Sequence, residues 1–179
     1  DGLTDIDPVM VFTVIGIILA AVFVAMVISI LLSIFIWNPL EVGCQKFFIN
    51  CKYGNAELGD MAYGFKNGYA HIGMIMFLRG LFTGLWMLLF IIPGIVKSYE
   101  YMMIPYLLAE HPEMTRQEAF AESKQMMDGN KWDAFVLDLS FIGWTLLGVC
   151  TFGILLVFYV EPYIYLTRAE LYHLSLIHI

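Results

Sequence analysis

The chain has 179 residues, room for one domain or one and a half; 60% are apolar, 16% aromatic and only 14% charged, and the mean hydropathy is +0.78. A soluble domain carries about 25% charged and 45–50% apolar residues, so too few polar side chains exist here to cover a globular surface, which excludes a soluble enzyme, a disordered tail and a disulfide scaffold. The net charge of −7 is concentrated in a few connectors, no Lys/Arg run forms a nucleic-acid patch, and Cys44, Cys51 and Cys150 are an odd set without Cys-x-x-Cys spacing.

The sequence opens at Asp1 without a Met, so an N-terminal segment is expected to be missing. From Pro8 to Leu40 there is no charge, and the core of this run, about 9–37, exceeds the ~20 apolar residues that cross a hydrocarbon layer of ~30 Å. It is also longer than a secretory h-region. Trp37-Asn38-Pro39 closes it, as an interfacial aromatic followed by a residue that cannot continue a helix. Leu40 to Tyr53 has amphipathic character, and Cys44 and Cys51, seven apart, would share a helix face there as ordinary packing. Gly54, Gly59, Gly64 and Gly68 lack the Gly-Lys-Ser/Thr of a phosphate loop and mark turns between short interfacial helices.

The apolar tract from Tyr69 to Leu108 is too long for one span, and Pro93-Gly94 is a strong turn signal. Two helices are expected, 70–92 and 95–110. Thr115-Arg116-Gln117-Glu118 is a capping box and Gly129 a stop. Between them Ala119, Phe120, Ser123, Met126 and Met127 recur at helical spacing, which predicts an amphipathic helix in the inner headgroup layer, an anchor that fixes hairpin spacing. The tract Trp132–Leu171 gives either two helices, 131–150 and 153–172, bent at Thr151-Phe152-Gly153, or one span between Asp138 and Glu161. The last six residues, 174–179 (LSLIHI), read like a translated sequencing adapter, so a single transmembrane domain over 1–173 is expected, with an artefact behind it.

GLWMLLFIIPGI (Gly84 to Ile95) and GWTLLGVCTFGI (Gly143 to Ile154) look like copies of one unit, each followed by Pro-Tyr, at Pro105-Tyr106 and Pro162-Tyr163. Asn38-Pro39 would be the same exit in an earlier copy; convergence of two apolar hairpins is the alternative. The basic residues Lys46, Lys52, Lys66, Arg116, Lys124, Lys131 and Arg168 fall in or beside the long connectors, which places these connectors in the cytoplasm and the tight turns outside. The expected fold class is therefore all-α, a polytopic transmembrane bundle of repeated helix hairpins with interfacial amphipathic helices.

Charges inside such a bundle are candidate functional groups, since an intramembrane Arg costs at least ~2.5 kcal/mol unless paired or hydrated. Arg79 lies about 14 residues before Pro93 and Asp138 about 15 before Gly153, at about the same depth. Equal depth predicts an Arg79–Asp138 pair across the hairpins. Lys97, Glu100 and Glu161 near the outer face are candidates for a polar path. His71, His111 and His173 have no ligand spacing, and no nucleophile has a motif-level partner, so neither a catalytic site, a metal nor another cofactor is expected.

With these blocks assembled, the chain resembles a bacterial integral-membrane family known as domain of unknown function 975. The carrying residues are GFKNGY (Gly64 to Tyr69), the LW…IIPGI block (Leu85 to Ile95), KSYEYMMIPYLLAE (Lys97 to Glu110), SKQMMDGNKWDAF (Ser123 to Phe135), LSFIGWTLLG (Leu139 to Gly148) and the final Pro162-Tyr163 with Ala169 to Tyr172. It is also distantly similar to the membrane domain fused to some glycerophosphodiester phosphodiesterases. The resemblance implies a multi-helix inner-membrane protein and supplies no activity. The expected role is a non-enzymatic scaffold, regulator or lipid-interacting component, with membrane lipids and a membrane protein or second copy as partners and no nucleic acid. The alternative is a small transporter or channel subunit lined by Arg79, Asp138, Lys97, Glu100 and Glu161.

Overall fold

The computed structural model describes residues 8–151 and 153–177, and all regular structure among them is helical. Helix α1 (Pro8–Leu32) passes through a π-helical turn (Ser33–Trp37) into α2 (Asn38–Lys52). After a 3-10 segment (Leu58–Ala62) come α3 (Tyr63–Lys66), α4 (Tyr69–Leu89), α5 (Ile91–Glu100), α6 (Ile104–Glu110), α7 (Arg116–Met126) and α8 (Lys131–Cys150). A second π-helical turn (Leu156–Val160) leads into α9 (Glu161–Ile177). Three helices are long and apolar enough to cross a membrane: Val9–Lys52, Tyr69–Leu89 and Lys131–Cys150.

Pro39 does not end the first helix, contrary to the expectation from Trp37-Asn38-Pro39. The π turn resolves the conflict: the Asn38 N–H reaches back five residues to Ser33 O, and Pro39, having no N–H, leaves the carbonyl four residues earlier free. That carbonyl, Phe35 O, accepts the Tyr69 hydroxyl at 2.7 Å. The same solution recurs before Pro162, where the Glu161 N–H bonds Leu156 O. The expected turn at Pro93-Gly94 lies three residues earlier, at Phe90, the only extended residue between α4 and α5. Pro93 sits in the first turn of α5, where a missing N–H costs nothing. Gly94 instead permits close packing, since a Cβ there would lie 2.6 Å from Met87 Cα. The expected 95–110 helix is likewise broken at 101–103, ahead of Pro105. Gly153, at φ +82°, donates its N–H to Gly148 O and turns the chain after α8.

The three proline-led helices α2, α6 and α9 pack together. Phe48 stacks on Tyr165 at 5.1 Å and Tyr106 on Tyr172 at 5.4 Å, while the Tyr172 hydroxyl donates to Glu110 at 2.6 Å. Val42, Ile49, Ile104, Leu107, Leu108 and Ala169 fill the space between them. Helix α7 closes this core from the side. Its Thr115–Glu118 capping box is formed, Ala119, Ser123 and Met126 are buried, and Phe120 meets Tyr101 edge-on at 4.9 Å. The apolar side of α7 is thus covered by protein, not left for the headgroup layer. Every side chain of α1 from Val9 to Leu32 is exposed, as are nearly all those of 81–92 and 142–150. The molecule therefore has a packed core of short helices and long stretches of bare apolar helix outside it.

Helix α2 and the returning 3-10 segment form a hook. Asn50 Nδ2 donates to Asp60 Oδ2 at 2.9 Å and the Glu57 N–H to the same oxygen at 3.0 Å. The Asn50 amide foremost, then the Glu57 N–H, hold the Asp60 carboxyl below its ordinary range. A depressed carboxylate contributes stability that is present above the unfolded value of about 4 and is lost as pH falls through the lower folded value. Acid melting of the detergent-purified chain should accordingly begin below about pH 4, and Asp60→Asn should flatten that part of the profile. An unchanged profile in the variant would remove Asp60 as a contributor.

Candidate functional site

Four of the five candidate charges, Arg79, Asp138, Lys97 and Glu100, are closed by a partner from another element or turn. Arg79 of α4 donates through Nη1 to Glu41 Oε1 at 2.9 Å and through Nε to Tyr101 O at 3.0 Å. Asp138 of α8 accepts from Arg168 Nη2 at 2.8 Å and from the Tyr99 hydroxyl at 3.0 Å. The expected Arg79–Asp138 pair is therefore not formed. Equal depth along two helices sets the level of two side chains but not the direction in which each points; here each charge turns toward a proline-led helix, α2 or α9.

Lys97 and Glu100 do meet, at 2.7 Å, and Lys131 adds a second contact to Glu100 at 3.3 Å. Glu100 is only 4% exposed, and its backbone carbonyl accepts the Ser123 hydroxyl at 2.8 Å. This one residue ties α5, α7 and α8 together. Lys97 also lies over the rings of Trp86 and Tyr101. Glu161 stands exposed in the first turn of α9, away from the other four, and pairs with no base among the described residues. The five candidates thus fall into four separate places, not along one path.

Sequence reasoning missed Glu41, Arg168, Lys131 and Tyr99 as partners. Lys131 and Arg168 enter the reading only as connector charges, and Glu41 follows a proline taken to end its helix. A charge within two turns after each Pro of the repeated exit is the signal that could have found Glu41 and Arg168.

Between α2 and α9 lies a cleft of about 270 Å³ lined by Trp37, Leu40, Glu41, Cys44, Gln45 and Tyr165. Gln45 Oε1, Tyr106 Oη and Arg168 Nε are buried without a hydrogen-bond partner. His173 Nε2 is likewise buried without a partner, whereas His71 Nε2 lies 2.8 Å from Met114 O and His111 lies near Glu113. The cysteines are unpaired, and among the described residues no three His, Cys, Asp or Glu side chains gather as a metal site.

Fold and site together define an all-helical protein with three helices able to cross a membrane and an internally neutralised polar centre. The family described as "Protein of unknown function (DUF975)" matches residues 9–176, and the chain belongs to it. No curated protein and no solved structure matches the chain.

Proposed function

We propose that the chain is a polytopic protein of the bacterial cytoplasmic membrane, built from repeated helix hairpins, that acts as a non-enzymatic scaffold, regulator or lipid-interacting component. The observation that carries this reading is the combination of closed ion pairs with long stretches of bare apolar helix. A transported solute needs charges that face a continuous hydrated path; Arg79, Asp138, Lys97 and Glu100 face one another or nearby partners instead. Exposed apolar helices of this extent are solvated by lipid or by another membrane protein or copy. The three X-Pro-led helices, two of them following π turns, support duplication of one unit over convergence. By the positive-inside rule the connectors around 53–68 and 111–130 lie on the cytoplasmic side.

Reconstitution into liposomes tests the choice between scaffold and transporter. Proton and potassium flux through vesicles carrying the wild-type chain should equal that of empty vesicles. Flux above that level, abolished by Asp138→Ala or Arg79→Ala, would establish the transporter.

A further inference from the structure

We propose that the groove between α5 and α8 holds an anionic phospholipid, with an acyl chain between the two helices and the phosphate at Lys131. Ile92, Ile95 and Val96 of α5 form one wall and Trp132 and Phe135 of α8 the other, around a volume of about 300 Å³. Tyr99 and Phe135 meet edge-on at 6.2 Å and join the walls. Glu100 lies eight residues past Ile92, about 12 Å along α5, and Lys131, which also lines the groove, is bonded to Glu100. The groove is therefore apolar along its length and closed at one end by an ammonium, the layout an amphiphile needs.

Charge selects the amphiphile. Glu100 is one carboxylate between two lysines, so the group carries one positive charge in surplus. Lys97 has the closer contact, 2.7 Å, and lies over the rings of Trp86 and Tyr101. Lys131 stands at 3.3 Å from Glu100, keeps 28% of its side chain exposed and has no other partner among the described residues. Two of its three N–H donors remain for a ligand at the end of the groove. Nearby carboxylates do not cancel the surplus: Asp138 is matched by Arg168, and Asp133, two residues past Lys131, lies about 200° round the helix from it. A zwitterionic headgroup would bring an ammonium along with its phosphate, whereas an anionic one brings only the charge that is short. Trp132, 70% exposed beside Lys131 in the first turn of α8, is the amphipathic ring expected where a helix enters the headgroup layer.

A lipid occupant presupposes the membrane reading above, so two lipids with the same acyl chains are compared on the detergent-purified chain. In thermal unfolding, phosphatidylglycerol should raise the midpoint several degrees more than phosphatidylcholine. Lys131→Met, which leaves Glu100 paired with Lys97, should erase that difference. Ile95→Trp, which fills the groove with every charge in place, should do the same. Lys124→Met, at an exposed position of α7 outside the groove, should keep it. Native mass spectrometry of the wild type, offered both lipids in equal amount, reads the preference even where a variant does not fold; phosphatidylglycerol should be retained several-fold over phosphatidylcholine. Equal midpoints and equal retention, in a chain that still needs detergent to stay dissolved, would overturn the site and leave the membrane reading standing. A difference that survives Lys131→Met or Ile95→Trp would overturn it in favour of diffuse charge attraction. An equal rise with glycerol 3-phosphate, which has the charge but no acyl chain, would overturn it in favour of a free phosphate ligand.

Discussion

Gly43→Ala is expected to abolish the hook formed by α2 and the 3-10 segment, with the largest loss of stability of any single methyl added to the chain. A Cβ at Gly43 would lie 2.0 Å from Met61 O and 2.6 Å from Met61 C, both backbone atoms that no rotamer change can move away. Gly64 presses on the other end of the same hook, where a Cβ would fall 2.2 Å from Pro39 O. Overpacking a core costs about 1–3 kcal/mol when side chains can yield, and a backbone clash belongs at or above the top of that range. Limited proteolysis of the detergent-purified variant should show cleavage at 53–57 that wild type resists. Gly80→Ala is the control, because nothing lies within 4 Å of a Cβ there, and a helix interior gains about 1 kcal/mol from Gly to Ala. A Gly43→Ala protein as resistant as wild type would show that the hook is not packed as described.

The second large effect is expected at Glu100, whose removal leaves Lys97 and Lys131 facing each other without their shared carboxylate. Breaking a buried ion pair costs about 3–5 kcal/mol, while replacing the whole group by apolar residues of similar size is often neutral. Each lysine keeps roughly a quarter of its side chain exposed and can lean outward, so the loss belongs near the lower figure. Glu100→Ala should therefore melt well below wild type, and the triple change Lys97→Met, Glu100→Met, Lys131→Met should recover most of the loss. A Glu100→Ala protein with an unchanged midpoint would remove this residue as the tie between α5, α7 and α8.

What could be seen in the sequence was whatever follows from local chemistry. The Thr115–Glu118 box needs only a hydroxyl and a carboxylate three residues apart, and the helical spacing of Ala119, Ser123 and Met126 marks the buried side of α7. Gly54 and Gly68 were legible as turns because a left-handed φ near +70° favours glycine. Gly64 looked the same in sequence but serves a close contact, which only the partner backbone reveals. Pro39 and Pro93 were misplaced for a related reason. A proline signals a missing N–H, and whether the helix ends, shifts to a π turn or has just begun depends on what the neighbouring chain offers. At Phe35 the answer is the Tyr69 hydroxyl, 34 residues away. The charged site was half visible: Lys97 and Glu100 lie i, i+3 on one helix, whereas Arg79 with Glu41 and Asp138 with Arg168 are pairings of separate elements.

The most direct measurement is the fate of the chain in a cell fraction washed with alkaline carbonate, which strips peripheral proteins and leaves integral ones in the pellet. Three helices able to cross a membrane, with exposed apolar side chains along most of their length, predict that the protein stays with the pellet and leaves it only on addition of detergent. Recovery in the carbonate supernatant, folded and without detergent, would contradict the membrane reading outright.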